Sequence, residues 1–126
     1  MATFESFEEI EAWQLSRILI RRLRIICKKP TVSRDFSFVD QITRAARSIS
    51  ANIAEGNDAM TNKEFLRFLS YAKRSASEVR SHLYDALDEQ YIAQNEFSEL
   101  NDMADKIARM IGKLMIYLRN AKRANA

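Results

Sequence analysis

Hydrophobic residues recur at intervals of three or four positions along four stretches of the chain. This spacing places the apolar side chains on one face of an α-helix. Short connections between the stretches favour antiparallel neighbours, so the pattern predicts an all-α fold, an antiparallel up-and-down four-helix bundle. We expect a single domain over residues 1–126, with helices at about residues 7–29, 37–56, 62–91 and 96–120.

The apolar seams of these helices form the predicted core. A bundle of this kind buries one apolar stripe from each helix. Ser16 takes the place of one apolar residue in the seam of the first helix. In chain order, the predicted seam residues are Trp13, Ile20, Leu23 and Cys27; Val39, Ile42, Ala46, Ile49 and Ile53; Phe65, Leu69, Ala72, Ala76, Val79, Leu83 and Ala86; and Phe97, Leu100, Ala104, Ile107, Ile111, Leu114 and Leu118.

Residues that commonly start or stop helices bound these seams. The segments Ser6–Glu9 and Thr61–Glu64 have the sequence of a capping box, which predicts the starts of the first and third helices. Pro30 should close the first helix. Gly56 is expected to be the C-terminal cap of the second helix, and Asn95 the N-terminal cap of the fourth.

The composition supports long helices and limits the possible locations. Only two glycines and one proline interrupt 126 residues, which argues against a protein of strands and turns. There is no apolar run of membrane-spanning length and the first residues are acidic, so we predict neither a membrane anchor nor a secretion signal. A single cysteine, Cys27, fits a reducing cytoplasm. A net charge of +3 permits a nucleic-acid partner without requiring one.

Two helices carry more apolar surface than one core stripe requires. A small bundle can tolerate wide stripes, but contiguous apolar patches usually mark contact surfaces. We therefore expect a homo-oligomer whose copies meet through the first helix, and through the fourth. The candidate interface residues are Leu15, Ile18, Ile25, Ile26, Met103, Met110 and Tyr117.

Charged residues separate along the helices. Acids precede bases in the first and fourth helices, and bases precede acids in the third. Such an arrangement suits the helix dipoles and would let early bases of the third helix face acids of the first. Bases remain in excess where the third helix starts and the fourth ends, which suggests a surface for phosphate backbones. The candidate nucleic-acid-binding residues are Lys63, Arg67, Arg74, Arg109, Lys113, Arg119, Lys122 and Arg123.

No catalytic set is apparent. His82 is the only histidine and has no acid or cysteine at metal-ligand spacing on its own face. Cys27 lies in an apolar seam, where a small hydrophobic residue is expected. Gly56 and Gly112 belong to no phosphate-binding loop. We predict a protein that is not an enzyme and that needs no metal or cofactor.

The segment RAARSISANIAEGND, which starts at Arg44, places polar residues along one flank of the second seam. Asn52 lies at the edge of that seam, where a covered carboxamide needs partners, and Ser75 or Glu78 on the third helix could supply one. One interpretation is a hydrogen-bonded clasp between two helices. The other is a polar pocket, built by Asn52, Glu55 and Gly56, that binds a ligand or partner.

This segment also carries a family resemblance. The sequence QITRAARSISANIAEG, then KEFLRFLSYAKRSASEVRSHLYDA and YIAQNEFSEL, resembles the bacterial four-helix-bundle family of intervening-sequence proteins over about residues 7–118. Members are encoded, among other places, within insertions in large-subunit rRNA genes, and the family is related to accessory proteins of diversity-generating retroelements. The matched motif residues are Arg44, Ser48, Asn52, Glu55 and Gly56.

The resemblance implies a small antiparallel bundle, commonly assembled into a ring-shaped pentamer. The retroelement relatives are basic rings that work with a reverse transcriptase and its RNA. One departure from the family is the segment Ala72–Ser75, where relatives often have a small Ala-Gly-Ser step. The combined expectation is a non-catalytic, pentameric scaffold that associates with RNA or DNA. The alternative is a protein-interaction module in which the basic excess only aids solubility.

Overall fold

The computed structural model describes residues 4–124, with side chains as far as residue 121. Every regular element in this range is helical, and no strand occurs between residues 4 and 124. A 3-10 turn comes first, and four of the five α-helices are long. The elements are the turn Phe7–Glu9, α1 Glu11–Cys27, α2 Pro30–Ser33, α3 Phe36–Asn57, α4 Asn62–Asp88 and α5 Gln94–Ala124.

The four long helices form a closed cycle of neighbours. α1 contacts α3 and α5, and α4 contacts the same two helices, whereas neither diagonal pair shares contacts in the described range. Cross-helix contacts show the directions: Ser48 of α3 meets Ser75 of α4, while the later Gly56 meets the earlier Phe65. Neighbouring helices therefore run antiparallel, as in an up-and-down four-helix bundle.

The core follows the predicted seams most closely in α4. All seven predicted residues of that seam are buried. Val39 of α3 and Leu114 of α5 are only partly buried, whereas Met115, outside the predicted seam, is 8 % exposed. A helix of 3.6 residues per turn drifts around a strict heptad, so residues beside the seam turn inward as it lengthens.

The seam of α1 differs most from the prediction. Leu19 is fully buried although it was outside the predicted seam, while Trp13 and Ile20 are only partly buried. Ile26, expected at an oligomer interface, is 3 % exposed and belongs to the core. Because α1 packs against two neighbours, its inward face spans more of the helix than the stripe that contains Trp13 and Ile20.

The first predicted capping box does not form. Ser6 precedes the 3-10 turn and makes no side-chain cap, and α1 begins only at Glu11. Ile10, between the turn and α1, has an extended backbone, which separates the two elements. The ring of Phe7 lies edge-on to that of Trp13 at a centroid distance of 5.0 Å, so the turn packs against α1.

The connection after α1 contains a helix that the sequence pattern did not indicate. α1 ends at Cys27, and Pro30 is the first residue of α2 rather than only the stop after α1. A proline suits that position because the first helical N–H has no partner within the helix. Asp35 then caps α3 by accepting a 3.2 Å hydrogen bond from the N–H of Phe38.

Gly56 does not cap a helix. It lies inside α3, which continues to Asn57, and its backbone has no positive φ. A Cβ atom at this position would lie 2.8 Å from Cδ1 of Phe65 and 3.0 Å from Cβ of Phe68. The glycine therefore allows α3 and α4 to approach closely, because it has no side chain to fill the space between them.

The remaining predicted helix ends have mixed outcomes. The hydroxyl of Thr61 accepts a 3.1 Å hydrogen bond from the N–H of Glu64, which confirms the cap of α4. Asn95 is not a cap, because α5 already begins at Gln94. In the described range no helix combines the length and the apolar character needed to span a bilayer.

Ion pairs between helices follow the cyclic order rather than the predicted pairing of the first and third helices. Those two helices, α1 and α4, lie on a diagonal and do not meet. Bases in the last part of α1 and just after it instead pair with early acids of α5: Arg22 with Glu99 at 2.8 Å, and Lys29, two residues beyond α1, with Glu96 at 3.6 Å. The charge pattern therefore sets opposite charges against each other on neighbouring helices, as predicted, but the neighbours are α1 and α5 rather than α1 and α4.

Candidate functional site

A basic groove lies between α4 and α5 at the end of the bundle where α4 begins. Its volume is about 510 Å³, and Lys63, Arg67 and Arg119 all line it. Thr61 and Ser70 add hydroxyl groups to its wall, so the groove presents cations and hydrogen-bonding groups together. The other lining residues are Glu64, Leu66 and Met115. Three of the predicted nucleic-acid-binding residues thus meet at one concave surface.

Two arginines near this groove stand over aromatic rings. The guanidinium carbon of Arg67 lies 5.7 Å from the ring centroid of Phe68, and that of Arg74 lies 5.6 Å from the ring of Tyr71. The two rings meet edge to face at a centroid distance of 6.3 Å. Alternating basic and aromatic groups of this kind occur at surfaces that bind nucleic acids.

The other predicted basic residues lie elsewhere. Arg109 forms an ion pair with Asp105 at 3.1 Å, within α5. Lys113 lines a pocket of about 320 Å³ on the α1 side of α5, beside Glu9 and Glu11. The side chains of Lys122 and Arg123 lie outside the described residues.

Lys73 was expected only among the early bases of α4 that face acids of the first helix, and not as a binding residue. Its Nζ atom would lie 3.6 Å from a Cβ added at Gly112, so this side chain extends from α4 to α5. The departure of residues 72–75 from the family pattern was the only signal in the sequence, and it drew attention to Arg74. A lysine opposite a glycine on a neighbouring helix is invisible until the helix register is known.

Two residues of the family motif form a polar clasp between α3 and α4. The amide nitrogen of Asn52 donates to the carbonyl oxygen of Ser48 at 2.8 Å and to its hydroxyl at 2.9 Å. The hydroxyl of Ser75 donates to that of Ser48 at 2.9 Å. The expected direct bond from Asn52 to Ser75 or Glu78 is absent from the described hydrogen bonds, and Ser48 joins the two helices instead.

The other motif residues do not join this clasp. Arg44 is exposed and pairs with Asp40 one turn earlier in α3, at 2.9 Å. Glu55 is exposed, whereas Gly56 is buried against α4. The motif therefore combines a clasp, a close helix contact and two exposed charges, and the described cavities include none built by Asn52, Glu55 and Gly56 together.

The predicted oligomer-interface residues lie mostly along α1 and α5, which are neighbours. Leu15, Ile18 and Met110 line a shared groove of about 350 Å³. Ile18 is 47 % exposed, Ile25 65 % and Tyr117 52 %. Ile26 does not contribute, because it is in the core. The α1–α5 side thus exposes apolar side chains, and Glu11, Gln14 and Lys106 line the same groove.

Partly buried hydrogen bonds join the connections at the end of the bundle opposite the basic groove. The hydroxyl of Tyr91, in the α4–α5 connection, donates to Asp35 at 2.6 Å, and Lys29 donates to the carbonyl of Tyr91 at 3.2 Å. The hydrogen bond to Asp35 raises the pKa of Tyr91 to about 12, and the same bond holds the pKa of Asp35 below its ordinary value. Sequence reasoning missed Tyr91 because its partner is distant along the chain.

His82 and Cys27 are the titratable residues that the sequence singled out. The sequence prediction that His82 has no acid on its own helix face is wrong, because its ring nitrogens lie 3.3 Å from Glu78 and 3.8 Å from Asp85, one turn before and after it. Burial raises the pKa of the Cys27 thiol, which disfavours the reactive thiolate. Among the described residues, no three His, Cys, Asp or Glu side chains are grouped as metal ligands.

These features define the class: an all-α protein with four long helices, a basic groove at one end and an apolar surface along its first and last helices. The chain belongs to the family of 23S rRNA-intervening sequence proteins, whose pattern it matches over residues 8–113. This agrees with the resemblance noted in the sequence.

A solved structure supports the same fold. A protein of unknown function from the S23 ribosomal protein family of Bacteroides thetaiotaomicron is similar at a TM-score of 0.71 and 20 % sequence identity. The similarity covers 82 % of this chain and 94 % of that protein. At this identity the likeness bears on the fold alone. The comparison with curated proteins finds no match.

Proposed function

We propose that this protein is a non-catalytic, self-associating scaffold that holds RNA or DNA through the basic groove between α4 and α5. The observation that carries the proposal is the convergence of Lys63, Arg67 and Arg119 on one concave surface. Lysine and arginine side chains in such a groove neutralise phosphates and release counterions, which favours association without reading sequence.

The position of the groove supports the proposal further. It lies at the beginning of α4, where the N–H groups of the helix add a positive potential. Glu64 is the only acid in its lining, so the cations outnumber it. The rRNA in the family's description makes a structured rRNA fragment a natural first probe.

Fluorescence anisotropy across a salt series tests the groove. We expect wild-type affinity for a labelled RNA hairpin and a DNA duplex to fall log-linearly with salt. Replacement of Lys63, Arg67 and Arg119 by Gln should weaken binding to both probes and lower the magnitude of the salt slope by about 2–3, since each lost phosphate contact contributes about 0.7–0.9.

A matched variant controls for net charge. Arg34, Arg44 and Arg47 are exposed bases before and within α3, away from both the groove and the α1–α5 surface, and changing them to Gln removes the same number of charges. This control should retain most of the affinity. Equal losses in both variants would show that total charge, not the groove, controls binding. An absence of wild-type binding at low salt would refute the proposed function.

Self-association is proposed to use the apolar α1–α5 surface, with a second copy as the occupant. The exposed Ile18 and Ile25 support this, because large apolar side chains at a surface mark contact regions. Changing both to Asp should give monomers by light scattering, whereas the family resemblance leads us to expect a pentamer for the wild type. An unchanged solution mass would contradict this choice of surface.

A protein-interaction module is the second candidate, and the groove lined by Leu15, Ile18 and Met110 is the observation that favours it. An amphipathic helix of another protein could bury its apolar face there. The two readings differ in solution: a scaffold that self-associates should cover this groove at micromolar concentration, whereas a module for another protein should remain monomeric with the groove open.

A further inference from the structure

We infer that the outer face of α4 selects single-stranded over duplex nucleic acid by stacking unpaired bases on Tyr71 and on the guanidinium planes of Arg67 and Arg74. This inference rests on the proposed function and names the class of nucleic acid that the same region prefers. We call these three residues together with Phe68 the aromatic–arginine ridge.

The ridge is accessible and continuous with the groove. Tyr71 is 38 % exposed, and Arg67 and Arg74 are also exposed. The two arginines are separated by two helical turns, or about 10 Å along the helix axis. Arg67 belongs to both features, since it lines the groove and lies over the ring of Phe68. A strand whose phosphates lie in the groove would therefore bring its bases to the ridge.

The chemistry of the ridge favours unpaired bases. In a duplex the faces of the bases are already stacked on each other, so an aromatic side chain on a convex helix surface has no face to meet. In a single strand the bases can turn outward and stack on tyrosine or on an arginine plane, whatever their identity. Lysines alone would bind either form through phosphates and would give no such preference.

The tyrosine of α4 that follows Tyr71, and the one in the α4–α5 connection, lack this arrangement. Tyr84 is 52 % exposed on the same helix, but its ring packs on Phe97 at a centroid distance of 4.7 Å. Tyr91 is held by its hydrogen bond to Asp35. Among the described aromatic residues of α4, Tyr71 is the tyrosine with an arginine over its ring.

The test compares an unstructured oligouridylate and an oligothymidylate with a DNA duplex of equal length, by anisotropy over a salt series. The key variant is Tyr71→Leu, which removes the ring and keeps an apolar, helix-favouring side chain. Tyr71→Phe retains the ring and should restore binding. Tyr84→Leu is the matched control. Circular dichroism verifies that each variant is folded.

We expect the wild type to bind both single strands more tightly than the duplex. Tyr71→Leu should weaken binding to both single strands about tenfold, the equivalent of one lost stacking contact. Its affinity for the duplex and the salt slopes of all the probes should not change. Tyr71→Phe and Tyr84→Leu should stay within about twofold of wild type, well below the loss of a stacking contact.

Failure has two distinguishable forms. If all probes bind with a steep salt dependence but Tyr71→Leu has no effect, or weakens single strand and duplex alike, stacking is refuted while the proposed function stands. If the wild type binds none of the probes even at low salt, both the stacking inference and the proposed function are overturned.

Discussion

The close approach of α4 to Gly56 of α3 predicts that a glycine-to-alanine change will destabilise the protein, which is the opposite of the usual effect. Replacing a helix-interior glycine by alanine normally stabilises a protein by about 1 kcal/mol, because alanine loses less backbone entropy on folding. At Gly56 the added methyl would lie 2.8 Å from Cδ1 of Phe65 and 3.0 Å from Cβ of Phe68. We expect Gly56→Ala to be destabilising.

The magnitude depends on how far these neighbours can move. Phe65 is only 2 % exposed, so its ring has little space to turn, and the Cβ of Phe68 is fixed to the backbone. Overpacking of a tight interior typically costs about 1–3 kcal/mol, which exceeds the gain in helix propensity. The net loss for Gly56→Ala should be about 1–2 kcal/mol.

Gly112 provides the matched control within α5. A Cβ there would meet only Nζ of Lys73, at an ordinary 3.6 Å. Gly112→Ala should therefore stabilise the protein by about 0.5–1 kcal/mol. The two variants should differ by about 2 kcal/mol, or roughly 8 °C in melting temperature. Thermal and urea unfolding, followed by circular dichroism at one protein concentration, measures both.

Changes of the same sign in the unfolding free energies of Gly56→Ala and Gly112→Ala would refute this reasoning. If Gly56→Ala is as stable as Gly112→Ala, α3 and α4 can separate at little cost and the glycine is not required for their approach. Phe65→Leu offers a further check: this change to a buried side chain should cost less stability in the Gly56→Ala background than in the wild type, because it removes the clash there.

Two further predictions concern the polar contacts. Ser75→Ala should cost about 1 kcal/mol in urea unfolding, and Ser48→Ala somewhat more, because the Ser48 hydroxyl also accepts from Asn52. The double variant should be hardly less stable than Ser48→Ala, because that change already removes the bond to Ser75; additive losses would contradict the clasp. Tyr91→Phe should destabilise the protein near neutral pH, where Asp35 is ionised and accepts its hydrogen bond. Because the pKa of Asp35 is lowered on folding, this stabilisation exists above the ordinary carboxyl pKa and is lost as pH falls through the lowered value. The difference in stability between wild type and variant should therefore shrink in acid, where only a weaker bond to the neutral carboxyl group remains, and a difference of constant size would exclude this origin.

The sequence was most informative where local periodicity and burial agree. In α4, every predicted seam residue is buried and Thr61 caps the helix as expected. In α1, the periodic pattern favoured Trp13 and Ile20, but Leu19 and Ile26 are the more deeply buried residues. An apolar side chain on an apolar-rich helix does not reveal which neighbour it meets, because that depends on where the other helices lie.

The features that sequence reasoning missed depend on helix register. Gly56 resembled a helix stop because glycine often follows a helix, but its role is set by the rings opposite it. Tyr91 meets Asp35 across 56 residues of chain, and Lys73 crosses to α5. No local pattern carries such pairings. The basic groove was partly predictable, because bundle topology already brought the start of α4 near the end of α5.

The cycle of neighbours has a consequence for how the protein opens. α3, α4 and α5 are consecutive along the chain and share the most extensive contacts, whereas α1 meets α3 and α5 through smaller ones. Sub-global opening follows the weakest set of contacts. Amide protons of α1 should therefore exchange before those of the three-helix remainder. Since α1 also carries Ile18 and Ile25, assembly through that helix would slow its opening and couple local stability to protein concentration.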